Sequence, residues 1–166
     1  MNLLPILQFP DETLRKRSRA VTDIDASLVD FATRLTMMIR ENRGCVGIAA
    51  PQVGDLRRII VVDVTGHKKA TDKHGLLVMI NPRITGAEGA VVTREGCLSV
   101  PDFTGNVERK AVLGVRYLTQ DGRDAELETS GFEAVVLQHE IDHLDGVLFL
   151  DRIVNVKRDL FKRTSY

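Results

Sequence analysis

The chain has 166 residues, a length that suits one domain around a single hydrophobic core, here expected to span residues 1–166. Its 23 Lys+Arg balance 23 Asp+Glu, so no global field draws it to nucleic acid, and no specific DNA partner is expected. No apolar run nears the ~18 residues that cross a membrane, and Cys45 and Cys97 imply no disulfide framework.

Met1–Pro10 lacks the basic region and cleavage site of a secretory signal, so it reads as mature protein and a reducing cytoplasm is the simplest setting. Pro10 and Asp11 open a short polar helix through about Arg17. Asp25 or Ser27 caps the next helix, where Leu28, Phe31, Leu35, Met38 and Ile39 recur at helical spacing, and which should end near Gly44. Arg58–Val64 is rich in β-branched residues and reads as a buried strand. Thr65–Gly75 is polar and reads as an exposed loop; Leu76–Ile80 is a second strand, stopped by Asn81-Pro82. Ala111–Leu118 is another strand, and Asp121-Gly122 turns it into a returning strand over Asp124–Thr129. An apolar helix follows from Phe132 to about Leu144, and a last short helix covers Asn155–Arg163. Helices, then hairpin-linked strands, then helices predict an α+β fold with mostly antiparallel sheet.

The most informative segment is His139-Glu140-Ile141-Asp142-His143. On a helix, positions i and i+4 share a face, so His139 and His143 can grip one metal ion. Glu140, beside the first ligand, can take a proton from a water activated there. Leu137, Ile141 and Leu144 would anchor the helix in the core, and Gly146 would end it. The plain alternative is a solvent-facing helix with its ionisable side. Against it, Phe132–Leu137 is largely apolar, and ionisable groups buried on such a helix must be paired or ligated.

Two histidines leave a catalytic metal short of a ligand. Asp145 is too close to extend from the same face, but Asp151 and Asp159 are open to the role. Cys97, in Glu95-Gly96-Cys97-Leu98-Ser99, offers a thiolate instead, and Gly96 lets a backbone approach closely. A Cys with two His also suits blue copper, which would leave Glu140 unexplained.

Three segments together resemble the peptide deformylases. Cys45–Gln52 (CVGIAAPQ) resembles that family's G-x-G-L-A-A-P-Q, with Cys45 for the first Gly and Ile48 for Leu. Glu95–Ser99 matches E-G-C-L-S, and Gln138–Gly146 matches Q-H-E-x-D-H-L-x-G, in the family's order. The resemblance runs over nearly the whole chain. It implies mostly antiparallel sheets packed around a central H-E-x-x-H helix, and hydrolysis of the N-formyl group from formylmethionyl polypeptides. It makes Cys97, His139 and His143 the metal ligands and Glu140 the general acid/base. The Gln52 side chain and the Leu98 N–H become the oxyanion donors. Val46, Gly47 and Gly96 bind the peptide as an added strand, and Ile48, Phe132, Val136 and His139 form the methionine pocket. It implies iron(II) in the cell, with zinc, nickel or cobalt as replacements, and a bacterial cytoplasm or an organelle.

Two departures bear on this reading. Cys45 is expected to narrow the entrance, and to be open to oxidation if exposed. Many bacterial members carry a peptide-holding Arg just after the second motif; this chain has Asp102-Phe103-Thr104-Gly105-Asn106, with Arg109 as a nearby substitute. Lys157, Arg158, Lys162 and Arg163 make the C-terminal segment basic enough to touch ribosomal RNA, or it is a solvated end with Val154, Leu160 and Phe161 packed inward. The rival functions are a zinc endopeptidase, a deformylase-like domain with another substrate or no turnover, and a structural metal site.

Overall fold

The computed structural model describes residues 3–71 and 74–164. A 3-10 turn, Glu12–Arg15, capped by Asp11, takes the place of the first polar helix. The first α-helix, α1, is Ala26–Glu41. Asp25 is its cap: the carboxylate accepts the Leu28 N–H at 2.8 Å, satisfying a donor that the helix itself cannot.

Five strands form one antiparallel sheet: β1 (Gly47–Ala49), β2 (Ile59–Val62), β3 (Leu77–Glu88) and, after β4 (Val91–Cys97) and β5 (Val100–Arg109) of a second sheet, β6 (Val112–Leu118) and β7 (Asp124–Ser130). Their order is β1-β2-β3-β6-β7. β2 is buried on both faces because side chains alternate across it. Ile60 and Val62 pack with Leu137, Ile141 and Leu144 of the second helix, α2 (Gly131–Leu144). Ile59 and Val61 pack with Leu28, Leu35 and Met38 of α1.

Asn81-Pro82 does not stop β3, which runs on to Glu88. Its ladder to β6 slips between Ile80 and Arg83, and Asn81 has φ +53°. The proline, with no N–H to give, falls in this irregular stretch. The Asn81 side chain holds the strand there, accepting from Val21 N–H and donating to Val21 C=O, both at 2.8 Å.

A smaller antiparallel sheet, β4-β5-β8, combines β4 (Val91–Cys97), β5 (Val100–Arg109) and β8 (Leu160–Lys162). The expected last helix is only one turn, α3 (Val156–Asp159), after which the chain extends as β8 along the edge of β5. Leu160 and Phe161 are half-buried by that pairing, whereas Val154 is 92% exposed instead of packed inward.

The site-bearing helix lies between the two sheets, and every residue from Glu133 to Leu144 is buried. Gly146 follows its end at φ +74° and donates to the His143 carbonyl at 3.2 Å. A Cβ at Gly146 would collide with the Arg15 backbone, so glycine is required both for the left-handed turn and for the fit. None of the described helices is long and apolar enough to cross a membrane.

Candidate active site

β4 and α2 bring three ligand-type side chains together. The ligand atoms of Cys97, His139 and His143 lie within 4.8 Å of one another, and all three residues are buried. Cys97 Sγ is 3.3 Å from His143 Nε2. His139 is oriented from behind: its Nδ1 is 2.7 Å from Glu95 Oε2, which leaves Nε2 for the centre. The donor set of one thiolate and two imidazoles, converged and withdrawn from water, fits a divalent transition metal. Asp151 and Asp159 are not in this group; they engage Arg15 and Arg158. Asp145 engages Arg58 at 2.7 Å.

Behind the ligands runs a chain of buried charge. Arg109 donates to both oxygens of Glu95, at 2.6 and 3.0 Å, and to Asp142 at 2.6 Å. Arg152 donates twice more to Asp142, at 2.9 and 2.6 Å. Burial pushes the pKa of Glu95 up, but hydrogen bonds from His139 and Arg109 outweigh it and bring it to about 2. Glu95 is therefore buried and paired, with His139 on one side and Arg109 on the other. Arg109, by contrast, is committed to this network and only 4% exposed, so it does not stand in for a peptide-holding arginine.

Glu140 is buried next to the centre, and its Oε2 finds no hydrogen-bond partner among the described residues. Burial pushes its pKa up to about 7. The same carboxylate explains Gly47: a Cβ there would come within 2.5 Å of Glu140 Oε1 and 2.9 Å of Val136 Cγ1. Gln52 sits in a 3-10 turn, Ala50–Val53. Its Oε1 accepts the Ala49 N–H at 2.9 Å, which fixes the amide so that Nε2 faces Ser99 Oγ at 3.2 Å and Cys97 Sγ at 3.4 Å.

A cleft of about 250 Å³ opens over these groups. Of the residues named from sequence, Val46, Gly47, Gln52, Gly96, Cys97, Leu98, Phe132, Val136, His139 and Glu140 line it. Cys45 lines it too, half-buried, with its thiol donating to Gly47 C=O at 3.2 Å and its pKa pushed up to about 12 by burial and by the charge of Glu140. Ile48 does not line it. Strand alternation turns Gly47 toward α2 and sends Ile48, fully buried, into the core beneath α1. The cleft also has walls that no motif flagged: His67, stacked on Phe132 with centroids 4.3 Å apart, and the cations Arg43, Lys69, Arg94 and Arg163. Only their position in the fold reveals them, because they come from loops and strands far apart in the chain.

Residues 3–159 match the family model described as polypeptide deformylase. A peptide deformylase from Thermodesulfovibrio yellowstonii is 41% identical over 163 residues, covering 98% of this chain and 96% of the relative. One from Syntrophobacter fumaroxidans is 42% identical, with 98% and 94% covered. Among solved structures, the peptide deformylase of Thermotoga maritima superposes with a TM-score of 0.85 at 38% identity, over 93% of this chain and 100% of that one. The Acinetobacter baumannii class I type b enzyme, solved with Met-Ala-Ser bound, gives 0.84 at 35% identity, over 92% and 99%.

Proposed function

The chain belongs to the polypeptide deformylase family, and from that premise we propose how its own residues carry out the reaction. The reaction is metal-dependent hydrolysis of the N-formyl group from new polypeptides, giving formate and a free amino terminus. The observation that carries the assignment of roles is the convergence of Cys97, His139 and His143 beside a buried carboxylate, Glu140, and a fixed amide, Gln52.

Cys97 Sγ, His139 Nε2 and His143 Nε2 would hold the metal. When bound, it supplies Lewis-acid chemistry, acidifying water and polarising the formyl carbonyl near neutral pH. Glu140 is the general base and then the general acid: its carboxylate takes the proton of the attacking water and gives it to the leaving amine nitrogen. Its burial, and an Oε2 without a hydrogen-bond partner among the described residues, support that role. Gln52 Nε2 and the Leu98 N–H donate to the oxyanion. The fixed Gln52 amide supports this, because its oxygen is already engaged by Ala49 and only its donors face the centre. Val46, Gly47 and Gly96 present backbone to the formylmethionyl peptide along the cleft, and Val136 and Phe132 receive the methionine side chain.

Iron(II) is the proposed metal in the cell, with zinc, nickel or cobalt as replacements, since thiolate plus imidazole accepts each of them. A bacterial cytoplasm is the proposed setting. A ribosomal RNA contact through the C-terminal segment rests on exposed Lys157 and Lys162, because Arg158 is paired with Asp159 at 2.7 Å and Arg163 lies at the cleft.

The test is anaerobic formate release from formyl-Met-Ala-Ser by the iron(II)-loaded protein, with Glu140→Ala as control. Rapid release by the parent and a loss of at least ~10²-fold in the variant, with metal content unchanged, is the expected result. No release from a folded, metal-loaded parent would sink the proposal.

A further inference from the structure

The C-terminal segment forms one wall of the active cleft. β8 pairs with β5 through Phe103↔Lys162, Thr104↔Phe161 and Gly105↔Leu160, and Arg163 N–H extends the ladder by donating to Asp102 C=O at 2.8 Å. Arg94 of β4 clamps the segment, with its guanidinium 3.4 Å from the Phe161 ring centroid and its Nε on Asn106 Oδ1 at 3.0 Å. This pairing delivers Arg163 to the cleft. Its Nη2 fills the space that a Cβ at Gly96 would occupy, so the guanidinium lies directly on the Gly96 backbone. Gly96 is one register position before the metal ligand Cys97, on the strand against which the peptide is proposed to align.

We propose that Arg163 is a substrate-positioning residue, donating to the main chain of the residues that follow formylmethionine; this rests on the deformylase reading above. A guanidinium presents five N–H donors in a fixed fork and no acceptor, so beside an extended peptide it matches backbone carbonyls. It lies on the β4 side of the cleft, whereas the methionine side chain is assigned to Phe132 and Val136 on α2. Arg163 therefore reads the part of the substrate beyond the methionine.

The experiment compares formyl-Met-methylamide, which ends before the second residue, with formyl-Met-Ala-Ser, using parent, Arg163→Ala, Arg163→Gln and Arg163→Lys in the metal-loaded full chain. The expected result for Arg163→Ala and Arg163→Gln is a kcat/KM for the tripeptide lower by about tenfold, the worth of one hydrogen bond from a charged group, carried by KM. The methylamide should be unchanged within about twofold, and Arg163→Lys should recover part of the tripeptide loss. Equal losses on both substrates would overturn the proposal in favour of a structural role for the segment. So would a tripeptide KM that none of the variants alters. No formate from either substrate with the parent would overturn the function itself, and this role with it.

Discussion

Gln52 illustrates how one side chain can be fixed by half of its own amide. With Oε1 engaged by the Ala49 N–H, the donors have one direction to face. Gln52→Glu keeps the shape but turns a donor into an acceptor carrying charge, so kcat should fall by on the order of 10²–10³ with folding preserved, as read by steady-state kinetics beside circular dichroism. Gly47→Ala should act through Glu140: the added methyl meets Oε1 at 2.5 Å and Val136 at 2.9 Å, so either the carboxylate or β1 must shift. A loss of kcat greater than the loss of metal content would identify the carboxylate as the part that moved. Cys45 gives a pH prediction. Its pKa is raised from 9.0 to about 12, so the folded state disfavours the thiolate. The neutral thiol's contribution is whole below pH 9 and is lost as pH rises toward 12. Cys45→Ala should flatten the alkaline limb of a stability–pH profile, and iodoacetamide should alkylate native Cys45 far more slowly than the unfolded chain at pH 8.

At the scale of elements, what could be read from the sequence was what is local. α1, with its Asp25 cap, and α2, with i and i+4 histidines, follow from spacing within one turn. β2 follows from a β-branched run. β5 was not legible: Pro101, Asp102, Gly105 and Asn106 are turn formers, and only pairing with β4 and β8 makes that stretch a strand. The misreading of Ile48 has a similar origin. A motif names neighbours, but alternation along β1 decides which of them face the cleft. The charge network was not legible. Glu95 stands in a recognisable motif, though the motif alone does not separate a buried pair from a surface charge, and no spacing rule links Arg109 to Asp142, 33 positions on. Without Arg109, Glu95 keeps only His139 and Asp142 only Arg152 among the described residues, and two buried carboxylates lose the cation between them, a loss on the order of 3–5 kcal/mol. Arg109→Met should therefore lower the unfolding free energy from a denaturant titration by that order. Glu95→Gln should loosen the His139 ring, and a competitive chelator titration should read a metal affinity weaker by roughly 10–100-fold.

Across the whole molecule, the metal centre and the charge network join the same two parts. Cys97 ends a strand of the small sheet, whereas His139 and His143 belong to the helix packed on the large one. Glu95 and Arg109 likewise lie on β4 and β5, and Asp142 on α2. The apolar contacts differ between the two sides: α2 and the large sheet share a continuous core, but Cys97 belongs to a smaller cluster with Leu14, Val100, Val107, Leu148 and Phe149. The small sheet thus depends more on polar ties to the helix. A ligand held only by the native state stabilises it by about 2.7 kcal/mol when present at 100 times its Kd. Chelation should therefore lower Tm by roughly 5–10 °C for a chain of this size. The loss should also be uneven. Amide hydrogen exchange should rise first in Val91–Cys97 and Val100–Arg109, while Ile59–Val62, sealed between two helices, stays protected. Equal rises in both regions would mean that the core, not the metal, ties the sheets together. A selective rise would show that one ion both serves the chemistry and holds β4, with Gly96 beside it, at the register the substrate requires.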